Sequence, residues 1–231
     1  MQKKYKLLTM TTLSLMTPLA FAGEGFIRSP YVGVEIIQTN QDFKNTYGKG
    51  IFNKNPQDYN FFAGFKFSKY FGSEIGYDFQ PKRNKNATLT QGNGYVNGLT
   101  IDPGDTITTS SSVKGYHPYL GLFGEICQSW SLGNVKFQAL IAASFSQIKA
   151  NYTLVSENGT NTNLPPYNYS KSRIIPMVKL SATNNFTKNF GLRLSLNYRN
   201  TSQFKILSQQ NDGEIRLKDT YGIGLGLVYS F

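Results

Sequence analysis

Tyr221-Gly-Ile-Gly-Leu-Gly-Leu-Val-Tyr-Ser-Phe231 closes the chain, and its alternation decides the fold. In an extended strand, successive side chains point to opposite faces. Tyr221, Ile223, Leu225, Leu227, Tyr229 and Phe231 therefore share one side. Gly222, Gly224, Gly226 and Ser230 share the other, where Val228 is the only large residue. An unbroken apolar face with aromatic ends, backed by a glycine ladder, suits a strand placed between hydrocarbon and a narrow interior. A strand of a soluble sandwich also alternates, but its polar face usually carries charged residues or threonine.

The other end of the chain agrees. Lys3, Lys4 and Lys6 precede a mostly apolar stretch, Leu7 to Leu19, and Ala20-Phe21-Ala22 forms a small-residue cleavage motif before Gly23. That stretch is broken by threonines and Pro18 and falls short of the ~20 apolar residues of a spanning helix. Residues 1–22 are read as a cleaved signal peptide and 23–231 as one exported domain. No cysteine follows the cleavage motif, which argues against a lipid anchor. The single Cys127 excludes an internal disulfide framework. Beyond the leader, no window approaches the ~18 apolar residues of a membrane helix. The formal charge of +11 becomes +8 without the three leader lysines. Such basicity can signal nucleic acid, a partner an exported chain does not routinely meet. Phosphates of lipopolysaccharide or acidic glycans suit it better, and a solvated charged rim is the plainer alternative.

Seven further segments make up eight strands with the closing one, and all but the fourth share its alternation. In the first, Val32, Val34 and Ile36 oppose Gly33 and Glu35; in the second, Tyr59, Phe61, Ala63, Phe65 and Phe67 oppose Gly64 and Lys66. Ile75, Tyr77 and Phe79 of the third oppose Glu74, Gly76 and Asp78. The fourth, about Lys114 to Glu125, is apolar on both faces, and its orientation is left open. Val135, Phe137, Ala139, Ile141, Ala143 and Phe145 of the fifth oppose Lys136, Gln138 and Ser144. The sixth sets Ile174, Pro176, Val178, Leu180 and Ala182 against Met177, Lys179 and Ser181, and the seventh sets Leu192, Leu194, Leu196 and Tyr198 against Arg193, Ser195 and Asn197. The connections alternate long and short: 40–56, 80–112, 149–169 and 200–214 are long and polar. Residues 80–112 are read as a solvent extension of the third and fourth strands, with an extra hairpin at Gly92-Asn-Gly94, and so ten strands, as the alternative. The expected fold is all-β: an eight-stranded antiparallel up-and-down transmembrane β-barrel with short periplasmic turns and long extracellular loops. Closure follows because hydrocarbon cannot satisfy the polar edge of an open sheet.

Pro30-Tyr-Val-Gly33, Lys69-Tyr-Phe-Gly72, Lys188-Asn-Phe-Gly191 and the terminal Phe231 resemble the small eight-stranded barrels of the OmpA-type transmembrane domain and opacity-protein superfamily. The resemblance covers nearly all of residues 23–231, with motifs that cannot select a member. It implies a bacterial outer-membrane address. It also implies that Leu227, Tyr229 and Phe231 serve as the signal read by the barrel-assembly machinery. Full-length OmpA-type proteins continue into a peptidoglycan-binding domain, which this chain is not expected to have.

The inward charges are Glu35, Glu74 and Asp78, with Glu125, alongside Lys66, Lys136, Lys179 and Arg193. An eight-stranded bore is just wide enough to be filled by side chains. Unpaired charges there are costly, so these eight are expected to pair across it. A polar plug is the plainer outcome, and a switchable low-conductance gate the alternative that the resemblance permits. The strand glycines are read as room for those long side chains. Catalysis is not expected. His117 is the only histidine, and its same-face neighbours Gly115 and Tyr119 supply neither an acid nor a serine. Neither a Cys/His metal cluster nor a nucleotide loop is present, so no cofactor is expected. Trp130, Tyr70, Phe71, Phe186 and Phe190 are candidates for an interfacial girdle. Three roles remain: a monomeric surface barrel whose loops contact lipopolysaccharide or host molecules, a small pore, or a soluble lipocalin-like binder. The third predicts a large apolar cavity, whereas the inward residues are charged or glycine. Lys82, Arg83, Lys85, Lys171 and Arg173 are the loop candidates for anionic ligands, and Tyr47, Tyr95 and Tyr167 sit at loop tips.

Overall fold

The computed structural model describes residues 28–45, 52–90, 104, 106–130, 133–157, 160–161, 167–202, 204–209 and 213–231. The signal peptide, the Gly92–Gly94 turn, Tyr47, Tyr95 and the side chains of Trp130 and Tyr167 lie outside the described residues. Ten strands follow in order: β1 Arg28–Asn45, β2 Gln57–Lys66, β3 Phe71–Thr90, β4 Thr106–Trp130, β5 Gly133–Glu157, β6 Thr160–Asn161, β7 Tyr167–Asn185, β8 Phe190–Arg199, β9 Lys205–Gln209 and β10 Gly213–Ser230. β6 is a two-residue pairing on β5, and β9 is a short ladder on β10. The other eight are the staves of a closed antiparallel ring, β1-β2-β3-β4-β5-β7-β8-β10, with β10 returning to β1. The seam runs from Tyr31 opposite Ser230 to Asn45 opposite Ile215, with one irregularity between Gln41 and Phe43. No edge among the staves is left to pair elsewhere.

Alternation turns the apolar rows outward. Leu122, Ile141 and Ile174 are 65%, 72% and 72% exposed, and Leu192, Leu194, Leu196, Ile223, Leu225 and Leu227 are exposed with them. A water-soluble protein rarely leaves so large an apolar band uncovered. The orientation left open for the fourth strand is now assigned: Tyr119 and Phe123 face the bore, while Leu120, Leu122 and Ile126 face out.

The two short turns share one construction. Ser68-Lys-Tyr-Phe-Gly72 and Thr187-Lys-Asn-Phe-Gly191 each place a hydroxyl at the first position. Ser68 Oγ accepts the Phe71 N–H and Thr187 Oγ1 accepts the Phe190 N–H, both at 2.9 Å. These local hydroxyl-to-backbone bonds fix a tight turn. They also leave Tyr70, Phe71, Phe186 and Phe190 exposed around this end, where a girdle belongs.

The opposite end rises well past the apolar band. β3 and β4 stay paired as far as Thr90 opposite Thr106, so residues 80–90 and 106–112 extend those strands. Other segments expected as loops also join the sheet. β5 continues to Glu157, β1 to Asn45, and β9 ladders on β10. Polar side chains do not prevent backbone pairing, and the extension has a core of its own. Phe52, Ile107, Val113, Ile148, Ala150, Tyr152, Ile175, Phe204 and Leu217 cluster inside it.

Candidate functional site

The bore is filled from the short-turn end upward. Lys66 bonds Glu125 near that mouth. Lys136 shares the inner face there, opposite Thr183, and has no ion pair with a described residue. Above them, Tyr31, Phe62, Phe123, Leu140 and Val228 form an aromatic and aliphatic layer. The inner glycines serve this layer more than the charges. A Cβ on Gly33 would lie 2.2 Å from the Phe62 ring, and one on Gly76 would lie 2.3 Å from the Tyr119 ring. Of the glycines expected to accommodate charged residues, Gly226 is the one that meets a charged side chain, Glu35.

Two polar layers follow. In the lower one Glu74 accepts from Arg193 at 2.9 Å, Tyr31 Oη at 2.8 Å and Tyr119 Oη at 2.9 Å. Lys179 Nζ donates to Glu35 at 2.5 Å and approaches Glu74 at 3.8 Å. Arg193 also donates to Gln138. Both cations flank Phe62: the Arg193 guanidinium is 4.4 Å and the Lys179 ammonium 4.8 Å from its ring centre. Two carboxylates and two cations make this layer neutral.

The upper layer was only partly foreseen. Asp78 lies there, but Arg199 and Asn60, which contact it, and Asp58, which shares Arg199 with it, were missed. Arg199 reaches Asp58 at 2.7 Å and Asp78 at 3.5 Å, Asn60 donates to Asp78, and Thr39 donates to Asp58 at 2.9 Å. The missed pair lies just past the assumed strand ends. Asp58 precedes Tyr59 and Arg199 follows Tyr198, so one more step of the same alternation reaches both. His117 is buried opposite Asp78 in register but makes no hydrogen bond to it. The apolar core of the extension closes the bore above.

The five anionic-ligand candidates are on strands rather than in loops. Arg83 and Lys85 lie on β3, opposite Val113 and Ser111. Lys171 and Arg173 lie on β7, opposite Ile148 and Ser146. Those partners are buried, so the four cations share the inner face of the extension, where Lys85 Nζ also donates to the Phe52 carbonyl at 3.4 Å. Lys82 differs. It stands exposed in a bulge on β3 that opposes Lys114.

The family model described as the OmpA-like transmembrane domain matches residues 29–116. Ail, the attachment invasion locus protein of Yersinia pestis, solved in complex with the heparin analogue sucrose octasulfate, is 16% identical; 88% of this chain and 98% of that chain are covered, with a TM-score of 0.45. Neisserial surface protein A is 11% identical, with 88% and 99% covered and a TM-score of 0.44. OprG of Pseudomonas aeruginosa is 8% identical, with 90% and 98% covered and a TM-score of 0.44. No curated protein sequence matches the chain.

Proposed function

We propose that this chain, whose residues 29–116 match the OmpA-like transmembrane domain, is a bacterial outer-membrane barrel that acts as a surface-binding protein. Its extension stands outside the cell, and the cations low on that extension engage polyanionic molecules. The observation that carries this reading is the combination of a blocked bore with a tall paired extension. β4 adds about ten residues between Tyr116 and Thr106, roughly 33 Å of strand at ~3.3 Å per residue. Arg83, Lys85, Lys171 and Arg173 lie on its inner face. Conduction would need the ion-pair layers and the Phe52–Phe204 core to part together. A binding surface needs neither to move.

Adsorption of the folded protein to an immobilised sulfated polysaccharide tests the reading. Joint replacement of Arg83, Lys85, Lys171 and Arg173 by Gln is expected to weaken adsorption at least about fivefold at low salt. The difference should vanish towards 1 M salt, where the screening length falls to ~3 Å. Equal adsorption by both proteins across the salt series would reject it. Stable, reproducible channels in a planar bilayer would favour the pore instead.

A further inference from the structure

Three lysines stand together on the outer wall of the barrel, and none of them belongs to the four cations of the inner face. Lys114 lies between Val113 and Gly115, both buried, so it faces outward from β4. Lys149 is directly opposite it on β5 and lies between buried Ile148 and Ala150. On the other side, the β3 bulge between Gln80 and Arg83 sets Pro81 and exposed Lys82 opposite Lys114. Bulges commonly re-aim a side chain in this way. Three neighbouring staves thus present three ammonium groups side by side.

Like charges directly opposite across a ladder are unfavourable, and no described carboxylate offsets this trio. None of the three makes an ion pair with a described residue. Among the described side chains, no carboxylate lies on the outward face of β3, β4 or β5. The opposite wall is arranged differently. There the outward lysines Lys54 and Lys218 share Asp42, at 3.4 Å and 2.6 Å. The Lys218 hydrogen bond holds the Asp42 carboxyl below its usual range. The trio has no such partner among the described residues.

Its height identifies the partner. The Lys114 ammonium sits over the rings of Tyr116 and Phe79, 4.8 Å and 5.7 Å from their centres. Those rings, with Phe145 and Ile174, form the upper margin of the lipid-facing band. Cations at this margin meet the headgroups of the outer leaflet. We propose that Lys82, Lys114 and Lys149 form a binding site for the phosphate groups of an outer-leaflet glycolipid, whose acyl chains lie against the apolar rows beneath. The site rests on the outward placement of the extension. Protease nicking of the extension in intact cells reports that placement without reference to lipid.

The test measures retention of bis-phosphorylated lipid A and of its dephosphorylated form by the folded barrel, using native mass spectrometry from mild detergent. The proteins compared are the wild type, the triple variant K82Q/K114Q/K149Q, the single variant K149Q, and K54Q/K218Q as control. Heat-dependent gel mobility confirms folding of each. A cation beside an anionic headgroup contributes roughly fivefold. K149Q should therefore lose about fivefold in retention and the triple variant on the order of a hundredfold, with the control unchanged. Wild type should hold the dephosphorylated lipid about as weakly as the triple variant holds lipid A. Wild-type-like retention by both K149Q and the triple variant would overturn the site. So would equal retention of the two lipids by the wild type.

Discussion

Replacing Arg193 by Met is expected to cost about 3–5 kcal/mol of folding free energy, because it strands a buried carboxylate. Glu74 is buried and accepts its ionic hydrogen bond from Arg193; without it, the remaining cation is Lys179 at 3.8 Å, already committed to Glu35. The two hydroxyls of Tyr31 and Tyr119 would still donate, but they bring no charge. Removing both charges should be milder than removing one. The double variant R193M/E74Q is therefore expected to recover more than half of the loss, since a paired charge removed with its partner leaves nothing uncompensated. Urea unfolding in lipid vesicles, followed by the fluorescence of Trp130, measures all three variants with E74Q completing the cycle. A double variant as unstable as the sum of the singles would show that the two groups are not a pair.

Gly226→Val is expected to stop the barrel from closing. A Cβ there would lie 2.2 Å from the Val34 carbonyl oxygen and 2.3 Å from Glu35 Cγ. The first of these is backbone of the neighbouring stave, at the seam where the last strand meets the first. Overpacking ordinarily costs about 1–3 kcal/mol. Here the strain falls on the pairing that completes the ring, so the upper end of that range applies. Gly124→Val is the matched control, because the nearest atom to its added Cβ is a Phe71 side-chain carbon at 3.9 Å. The Gly226 variant should lose heat-dependent gel mobility while the Gly124 variant keeps it. Equal behaviour of the two would mean that the seam tolerates a side chain at this point.

Both predictions start from parity, and parity was the legible part of the sequence. Leu192, Leu194 and Leu196 against Arg193 and Ser195 leaves little choice of face. The same counting turns Glu35, Glu74, Asp78, Lys179 and Arg193 inward, and all five are buried. Counting failed where both faces are apolar, as around Tyr119 and Phe123. The inward aromatic layer was illegible for that reason, and the role of Gly33 and Gly76 went to charges rather than rings. It also failed where composition stood in for pairing. Lys85, Lys149, Lys171 and Arg173 lie in polar stretches that resemble loops, yet their backbones are laddered. Nothing local in those stretches distinguishes an inward Lys171 from an outward Lys149. Only the register does so: inward Ile148 and Ala150 flank Lys149 on its own stave, and Ile148 pairs with Lys171 on the next.

Spin labels placed in turn at Leu225 and Gly226, after replacement of Cys127 by Ser, address the central claim most directly when the protein is reconstituted in lipid vesicles. Failure of the Gly226 label to fold would be expected from the seam geometry, so Ser195, the cross-strand partner of Gly224 on β8, serves as the second inner position. Relaxation by dissolved oxygen, which partitions into hydrocarbon, is compared with relaxation by a water-soluble nickel chelate. Leu225 should respond strongly to oxygen and hardly to nickel, while Ser195 should respond weakly to both because the bore is packed. A Leu225 label relaxed by nickel as though in water, or shielded from both reagents as though in a soluble core, would contradict an apolar wall turned towards lipid.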